Sequence, residues 1–200
     1  MKTLTAKDSK YGFGRLRPCP RWLGGGAQKI AKPHHSEYVV RLSGDCPLID
    51  PAVIDAMVDF ALDSSYDYAS NTLEPTYPDG LDVKVIKFSA LESAWTQARL
   101  PSEREHVTPF VKKSDDFRCG SFRSSRDLSS LRWTVDEPED LVLVEGIHEA
   151  LLPIKPEFGI QDVLEYIDEH PEVTRLNAHI AWDKGYARSV RDDVAYKERP

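Results

Sequence analysis

The chain has few cysteines and no long apolar run. Cys19, Cys46 and Cys119 are its three cysteines in 200 residues, and an odd, widely spaced set supports neither a disulfide framework nor a zinc site. No 18 consecutive residues are apolar, so no membrane span is expected. The N-terminal basic residues precede no apolar stretch of the kind found in secretory signals. We therefore expect a protein of the reducing cytoplasm.

Basic residues are scarce outside the N-terminus. Residues 1–35 carry eight Lys or Arg and one acid, whereas residues 36–200 carry 18 basic and 32 acidic residues. This acidic body argues against a nucleic-acid surface. The basic segment could be a nucleic-acid arm, but a disordered or non-native tail is the simpler interpretation.

The first 28 residues also lack valine and isoleucine. Such a segment buries too little apolar surface to offset its ordering entropy. The Gly24–Gly26 triplet follows no strand, so we do not interpret it as a phosphate loop. We predict an atypical segment over residues 1–36, a folded domain over 37–190 and a loose polar tail over 191–200.

From about residue 37, apolar periodicity predicts alternating strands and helices. Strands are predicted at Tyr38–Leu42, Tyr68–Ser70, Leu81–Ile86, Arg118–Phe122 and Leu131–Val135. Helices are predicted at 51–63, 88–98, 137–151 and 159–169, with a further helix that starts at a Ser102–Glu105 capping box and is broken by Pro109. This order indicates an α/β fold with a mostly parallel or mixed sheet and helices on its faces.

Two acidic residues follow predicted strands. Asp45 comes after Gly44 at the end of the first strand, and Asp136 lies between a strand and a helix. Ligands of open α/β sheets bind at this edge, and Mg²⁺ often takes one or two carboxylates together with substrate phosphates. We predict that Asp45 and Asp136 hold Mg²⁺ on a triphosphate. The structural alternatives are a turn cap for Asp45 and a helix N-cap for Asp136.

Other polar residues have weaker claims to a site. Asp79 and Asp82 could bind a polyol, or could be solvated acids of a turn. Asn71 could contact a base or sugar, or could be an ordinary turn residue. Arg104 could hold a carboxylate or phosphate in a forked pair, with His106 donating to the same group. The alternative for both is a helix surface with local ion pairs.

Four motifs in order resemble one family. They are Arg41–Asp50, Ser70–Asp82, Leu100–Pro109 and Leu131–Asp140. The chain resembles the cytidylyltransferases of spore-coat polysaccharide biosynthesis, which are related to acylneuraminate cytidylyltransferase and CMP-Kdo synthetase. The likeness extends from about residue 37 to about residue 190, because the four motifs occur in the same order as in the family.

The resemblance implies a Rossmann-like nucleotide-diphospho-sugar transferase fold. It also implies that CTP and an acidic sugar give a CMP-sugar and pyrophosphate with Mg²⁺, in an enzyme that could be a homodimer. Asp45 and Asp136 match the family's metal ligands, and His106 matches a sugar-contacting histidine. The substrate-binding residues expected on this basis are Arg41, Asn71, Asp79, Asp82, Arg104 and His106. Phe110 stands where a tyrosine is common, so one sugar contact is expected to be missing.

The N-terminal part departs from the family pattern. Family members open with a strand and a Gln-Ala-Arg loop that wraps the triphosphate and reads cytosine. This chain has only a superficial echo at Gly14–Pro18, and its Gly44-Asp-Cys-Pro47 motif comes about 50 residues early. We therefore expect a fold without its first β-α-β portion and a chain that is inactive or crippled. The alternative is a non-catalytic remnant that binds a sugar nucleotide or a partner. A metal-dependent glycosyltransferase would show an Asp-x-Asp pair, and Asp79 and Asp82 have the wrong spacing.

Overall fold

The computed structural model describes residues 31–106, 108–180, 193 and 196, without the side chains of Glu105 and His106. The predictions for residues 1–28, and most of those for the tail, lie outside this part. The described strands are β1 (Tyr38–Leu42), β2 (Tyr68–Ser70), β3 (Val83–Lys87) and β4 (Cys119–Ser121). The helices are α1 (Pro51–Asp63), α2 (Phe88–Gln97), α3 (Pro101–His106), α4 (Thr108–Lys113), α5 (Pro138–Leu151) and α6 (Ile160–Glu169), with short 3₁₀ turns at Lys32–His34 and Val173–Arg175.

The described strands form one mixed sheet in the order β1-β3-β2-β4. Strand β3 pairs antiparallel with both β1 and β2, and β2 pairs parallel with β4. The C-terminal ends of β1, β2 and β4 therefore meet at one edge, beside the N-terminal end of β3. We call this edge, with the loops that leave or enter it, the carboxyl edge. The predicted α/β class with a mixed sheet is confirmed.

Helices cover both faces of the sheet because successive strand residues point to opposite sides. Val83 and Val85 of β3 join Ala69 and the apolar stripe of α1 in one buried cluster. Ile86 and Tyr68 point the other way and pack with α2 and α4. Burial on both faces explains why these strands are apolar along their length.

A third apolar cluster holds α5 and α6 against the loops of the carboxyl edge. Trp133 is only 1% exposed and packs there with Leu81 and Leu128. The helices contribute Leu143, Val144, Ile147, Val163, Leu164 and Ile167. Because Trp133 is embedded in this cluster, the residues on both sides of it are held in fixed positions at the carboxyl edge.

The predicted strand at Leu131–Val135 is wrong. The structure has a single parallel bridge between Asp79 and Arg132, made by Asp79 N–H to Leu131 O at 3.0 Å and Trp133 N–H to Asp79 O at 2.6 Å. Two residues further along the segment, Val135 N–H donates to Asp45 O at 2.8 Å. The segment is extended and buried as its sequence suggests, but its neighbours are two loops rather than a strand.

Asp50 caps two helices at once. Its Oδ1 accepts hydrogen bonds from Ala52 and Val53 N–H at the start of α1, and Pro51 follows it as predicted. Its Oδ2 accepts from Ile160 N–H at the start of α6, at 2.7 Å. One buried carboxylate thus satisfies amides that would otherwise lack partners at two helix ends.

The capping box predicted at Ser102 is wrong, because α3 begins one residue earlier, at Pro101. Glu103 Oε2 instead accepts from Leu100 N–H at 3.2 Å. Ser102 is buried, and its N–H and hydroxyl both donate to the Asp193 carboxylate, at 2.8 Å and 2.5 Å. Asp193 is itself buried, although it lies in the segment predicted to be a loose tail. The predicted break near Pro109 stays a prediction, because residue 107, between α3 and α4, lies outside the described residues.

Replacing Asp193 by alanine should lower the free energy of unfolding by about 2 kcal/mol. The change would leave the buried Ser102 amide and hydroxyl without the charged acceptor that they share. Chemical denaturation of Asp193→Ala beside Asp63→Ala measures it, since Asp63 is exposed at the end of α1. Equal stabilities of the two variants would contradict the prediction.

Replacing Gly80 by alanine should destabilise the fold by about 2 to 4 kcal/mol. Gly80 has φ of +106°, and an added Cβ would lie 2.5 Å from the backbone of Trp133 and Thr134. Gly146 in α5 is the matched control, because an added Cβ meets nothing within 4 Å and alanine favours the helix. Gly146→Ala should therefore be neutral or slightly stabilising in the same denaturation experiment.

Candidate active site at the carboxyl edge

Asp45 lies in the loop that follows β1 and is exposed. Its backbone carbonyl accepts from Val135 N–H at 2.8 Å and from the Thr134 hydroxyl at 3.2 Å. Within the described residues, its carboxylate accepts one long hydrogen bond, from Cys46 Sγ at 3.5 Å. The loop is therefore held firmly while its carboxylate remains available to a ligand.

The pKa of the Cys46 thiol is raised by burial and by nearby negative charges. These negative charges are those of Asp45, Asp82 and Asp79. The thiol is therefore neutral at physiological pH, so Cys46 is a small buried residue rather than a nucleophile.

Arg132 is the most densely bonded side chain of the site. Its Nη1 donates to Asp79 Oδ2 at 2.7 Å, and its Nη2 donates to Asp136 Oδ2 at 2.9 Å. Nε and Nη2 together hold both oxygens of Asp140, at 3.0 Å and 2.9 Å. Burial disfavours the charged guanidinium, but the Asp140, Asp79 and Asp136 carboxylates outweigh burial and raise the Arg132 pKa. Arg132 is therefore a permanent cation at this edge.

Asp140 is fully buried and anchors this arrangement. It accepts from Arg132, from Asn177 Nδ2 at 2.8 Å and from the backbone amides of Asp136 and Glu137, at 3.1 Å and 3.0 Å. Burial by itself would raise its pKa, but these hydrogen bonds lower the pKa of the carboxyl to about 2. Asp140 therefore fixes the backbone that presents Asp136.

Asp136 is not the N-cap of α5, because Glu137 occupies that position. Its side chain is 54% exposed, although Arg132, which holds it, is only 8% exposed. Val135, the residue before it, is hydrogen bonded to Asp45. The two residues predicted to bind metal therefore lie on adjoining backbone segments.

The carboxyl edge carries more negative than positive charge. Its acids are Asp45, Asp79, Asp82, Asp136 and Asp140, and its basic side chains are Arg41, Lys84 and Arg132. The formal excess is two negative charges, which equals the charge of one divalent cation. No group of three or more His, Cys, Asp or Glu residues within the described residues could hold a metal ion. Two carboxylates and a substrate phosphate suffice for Mg²⁺ in other proteins, so a Mg²⁺ site at Asp45 and Asp136 stays a prediction.

Arg41 lies on β1, and Asp82 directly precedes β3, the strand that pairs with β1. Arg41 of β1 is paired in register with Lys84 of β3, and Lys84 Nζ contacts Asp82 Oδ2 at 3.1 Å. Burial lowers the Arg41 pKa, against the opposing influence of Tyr68, Asp82 and Asp45. Asp82 and Asp79 are thus both paired with basic residues, rather than being solvated acids of a turn.

Asn71 follows β2 at the same edge but is only 2% exposed. Its Nδ2 donates to Leu81 O at 2.7 Å, and its Oδ1 accepts from Val83 N–H at 2.9 Å. Both ends of the amide therefore fasten the segment entering β3. This corresponds to the structural alternative, and a base or sugar contact for Asn71 stays a prediction.

Arg104 lies on α3, where it packs over the Trp95 ring at 5.6 Å from the centroid. Its Nη1 also donates to Ala98 O at 3.3 Å. The structure therefore joins Arg104 to the end of α2. His106 also lies on α3. Its side chain is not among those that the structure describes, so its predicted sugar contact stays a prediction.

Sequence reasoning missed Arg132, Asp140 and Asn177. A basic residue between Leu131 and Trp133, in a segment read as buried, was the available signal for Arg132. A buried charge needs partners, and Asp136 and Asp140 follow Arg132 at four and eight positions, among several acids in this part of the sequence. Asn177 gave no comparable signal, because its partner at Arg132 O is 45 positions away.

Comparison with known proteins gives a consistent result. A solved structure of a cytidylyltransferase from Leptospira borgpetersenii matches with a TM-score of 0.72 and 32% identity over 76% of this chain. The chain is therefore similar to a cytidylyltransferase in both sequence and fold. This likeness confirms the resemblance drawn from the four motifs, and the neighbour's fold confirms the predicted nucleotidyltransferase class. No protein-family profile matches the chain.

Two curated proteins are also similar to this chain in sequence. An uncharacterized protein of Methanocaldococcus jannaschii is 28% identical over 75% of the chain. The Bacillus subtilis spore coat polysaccharide biosynthesis protein SpsF is 22% identical over 84% of the chain. The chain spans 61% of the M. jannaschii protein, 70% of SpsF and 64% of the Leptospira structure. Among the described helices, none combines the length and hydropathy needed to cross a membrane.

Acid should weaken the fold partly through Asp140. The ordinary carboxyl pKa of 3.8 falls to about 2 in the folded protein, so the stabilisation is present above about pH 4 and is lost as the pH falls towards 2. A shift of this size corresponds to about 2 kcal/mol. The difference in unfolding free energy between wild type and Asp140→Asn should therefore shrink from pH 6 to pH 3. A difference that is constant over this range would contradict the prediction.

Proposed function

We propose that this chain acts as a CTP-dependent nucleotidyltransferase that makes a CMP-activated acidic sugar for surface polysaccharide biosynthesis. The likeness to the Leptospira cytidylyltransferase supports the nucleotidyltransferase reaction, and the likeness to SpsF supports a role in polysaccharide biosynthesis. The acidic sugar, and assembly as a homodimer, rest on the motif resemblance. The observation that carries the proposal is the hydrogen bond between the Asp45 and Val135 backbones, which brings Asp45 beside Asp136.

In the proposed reaction, a sugar hydroxyl attacks the α-phosphate of CTP and pyrophosphate leaves. Asp45 and Asp136 are the residues that would hold Mg²⁺, whose charge neutralises the phosphate oxygens when it is bound. Arg41 and Lys84 lie at the same edge and contribute positive charge near the sugar and phosphate groups. Positioning and electrostatic stabilisation supply most of the rate in phosphoryl chemistry, so no covalent intermediate on the protein is required.

The described residues fit this role in two respects. First, the Asp45 carboxylate is exposed and accepts one long hydrogen bond within the described part of the chain. Second, the two excess negative charges at the edge disfavour binding of a bare triphosphate. A divalent cation removes this repulsion, which supports metal-dependent over metal-independent nucleotide binding.

In a version of this chain with the expected N-terminal loop restored, replacing Asp45 or Asp136 by asparagine should lower turnover at least about a hundredfold, the loss typical for a main electrostatic stabiliser. Pyrophosphate release from CTP with Mg²⁺ and a panel of ulosonic acids measures this. Asp63→Asn is the control, since Asp63 is an exposed acid at the end of α1. Wild-type rates for both site variants would overturn the metal assignment.

The second candidate is a non-catalytic protein that binds a sugar nucleotide. It is favoured by the departure of residues 1–36 from the family pattern, since they contain no Gln-Ala-Arg loop sequence. Calorimetric binding of CTP or a CMP-sugar, without pyrophosphate release from any ulosonic acid, would select it. Neither binding nor release would exclude both candidates.

A further inference from the structure

We infer that Arg132 is a positioning residue for the proposed reaction, which sets the orientation of the Asp136 carboxylate. The inference rests on the proposed function, because it assigns Asp136 to metal binding. Arg132 acts through Asp136, through Asp140 and through the turn that carries Asp79.

The orientation comes from the planar geometry of the guanidinium. Nε and Nη2 bind the two oxygens of Asp140, which fixes the plane of the Arg132 head group. Asp140 cannot rotate, because Asn177 and two backbone amides also donate to it. With this plane fixed, the remaining N–H of Nη2 has one direction, and Asp136 Oδ2 lies along it at 2.9 Å. A forked donor of this kind gives geometric specificity that a lysine cannot reproduce.

This contact leaves the other oxygen of Asp136 as the one that faces a ligand. Asp136 Oδ2 is held by the buried Arg132, while the side chain as a whole is 54% exposed. A carboxylate held by one oxygen can bind a cation through the other without first losing rotational freedom. Residues that orient a metal-binding carboxylate typically change metal affinity or activity by 10- to 100-fold when they are replaced.

Stability alone does not account for the Arg132–Asp136 contact. Partly exposed ion pairs contribute little to folding, and the fully buried Asp140 already balances the Arg132 charge. Nη1 also donates to Asp79 at 2.7 Å, so Arg132 joins the turn at Asp79 to Asp136. Two further hydrogen bonds of this buried cation thus go to residues at the open edge of the site.

The experiment titrates the full chain with Mn²⁺ and measures free Mn²⁺ by its electron paramagnetic resonance signal. Wild type is compared with Asp45→Asn, Asp136→Asn, Arg132→Lys and the exposed control Asp63→Asn. Lysine keeps the charge that balances Asp140 but cannot reach three carboxylates in one plane. We expect Arg132→Lys to weaken Mn²⁺ binding at least about tenfold, with the control unchanged and the circular dichroism spectrum of folded protein retained.

The outcomes separate this inference from the proposed function. Wild-type Mn²⁺ affinity in Arg132→Lys, together with lost binding in Asp45→Asn, would overturn the inference and leave the metal site in place. Wild-type binding no stronger than that of Asp45→Asn would overturn both. If Arg132→Lys does not fold, the double variant Arg132→Met with Asp140→Asn is compared with Asp140→Asn alone, so that the loss of Asp140 is common to both and weaker Mn²⁺ binding in the double variant supports the inference. The double variant removes both charges of the buried pair and so leaves no uncompensated ion between them.

Discussion

The buried ion pair of Arg132 and Asp140 is the interaction on which the carboxyl edge depends. Placing a guanidinium and a carboxylate in a site that excludes water costs free energy that only good geometry repays. Here the geometry is bidentate, and the remaining lone pairs of Asp140 accept from a side-chain amide and two backbone amides. Trp133 buries the backbone between these groups. The apolar cluster and the ion pair therefore stabilise each other.

The ion pair links the core to the proposed chemistry because its bonds extend outwards. From a buried centre, Arg132 reaches Asp79 on a distant loop and Asp136 four residues further along its own segment. The backbone of the same segment reaches Asp45 on a second loop through Val135. Two loops that are distant in sequence thus meet at one extended stretch of chain. This is a common way for α/β proteins to form a site at strand ends.

The sequence predicted most of the fold but fewer of the contacts. Helix α1 was predicted correctly because Asp50-Pro51 gives a local start signal and its apolar spacing follows one helical face. The strand at Leu131–Val135 was wrong because alternation reports burial on one side, whereas a strand also needs a neighbouring strand. The Ser102 box failed because the partner of Ser102 is Asp193, 91 positions away. Local patterns hold no information about such partners.

For the candidate site, the sequence alone predicted the types of residue and their position at the carboxyl edge. The positions of Asp45 and Asp136 followed from where predicted strands end, and the structure brings their backbones together. The roles of Asn71 and Asp79 did not follow, because a turn amide or turn acid is equally suited to a ligand or to a backbone group. Only three-dimensional distances distinguish these uses, as the two backbone hydrogen bonds of Asn71 illustrate.

The double cap at Asp50 has a consequence for how the chain is assembled during synthesis. The hydrogen bond to its Oδ2 cannot form until Ile160 has been synthesised, 110 residues later. Until then, a carboxylate destined for burial must remain hydrated, which keeps the start of α1 open to solvent. Long-range contacts of this kind slow folding. We therefore expect the sheet and α1 to reach their final packing only after α6 has been made.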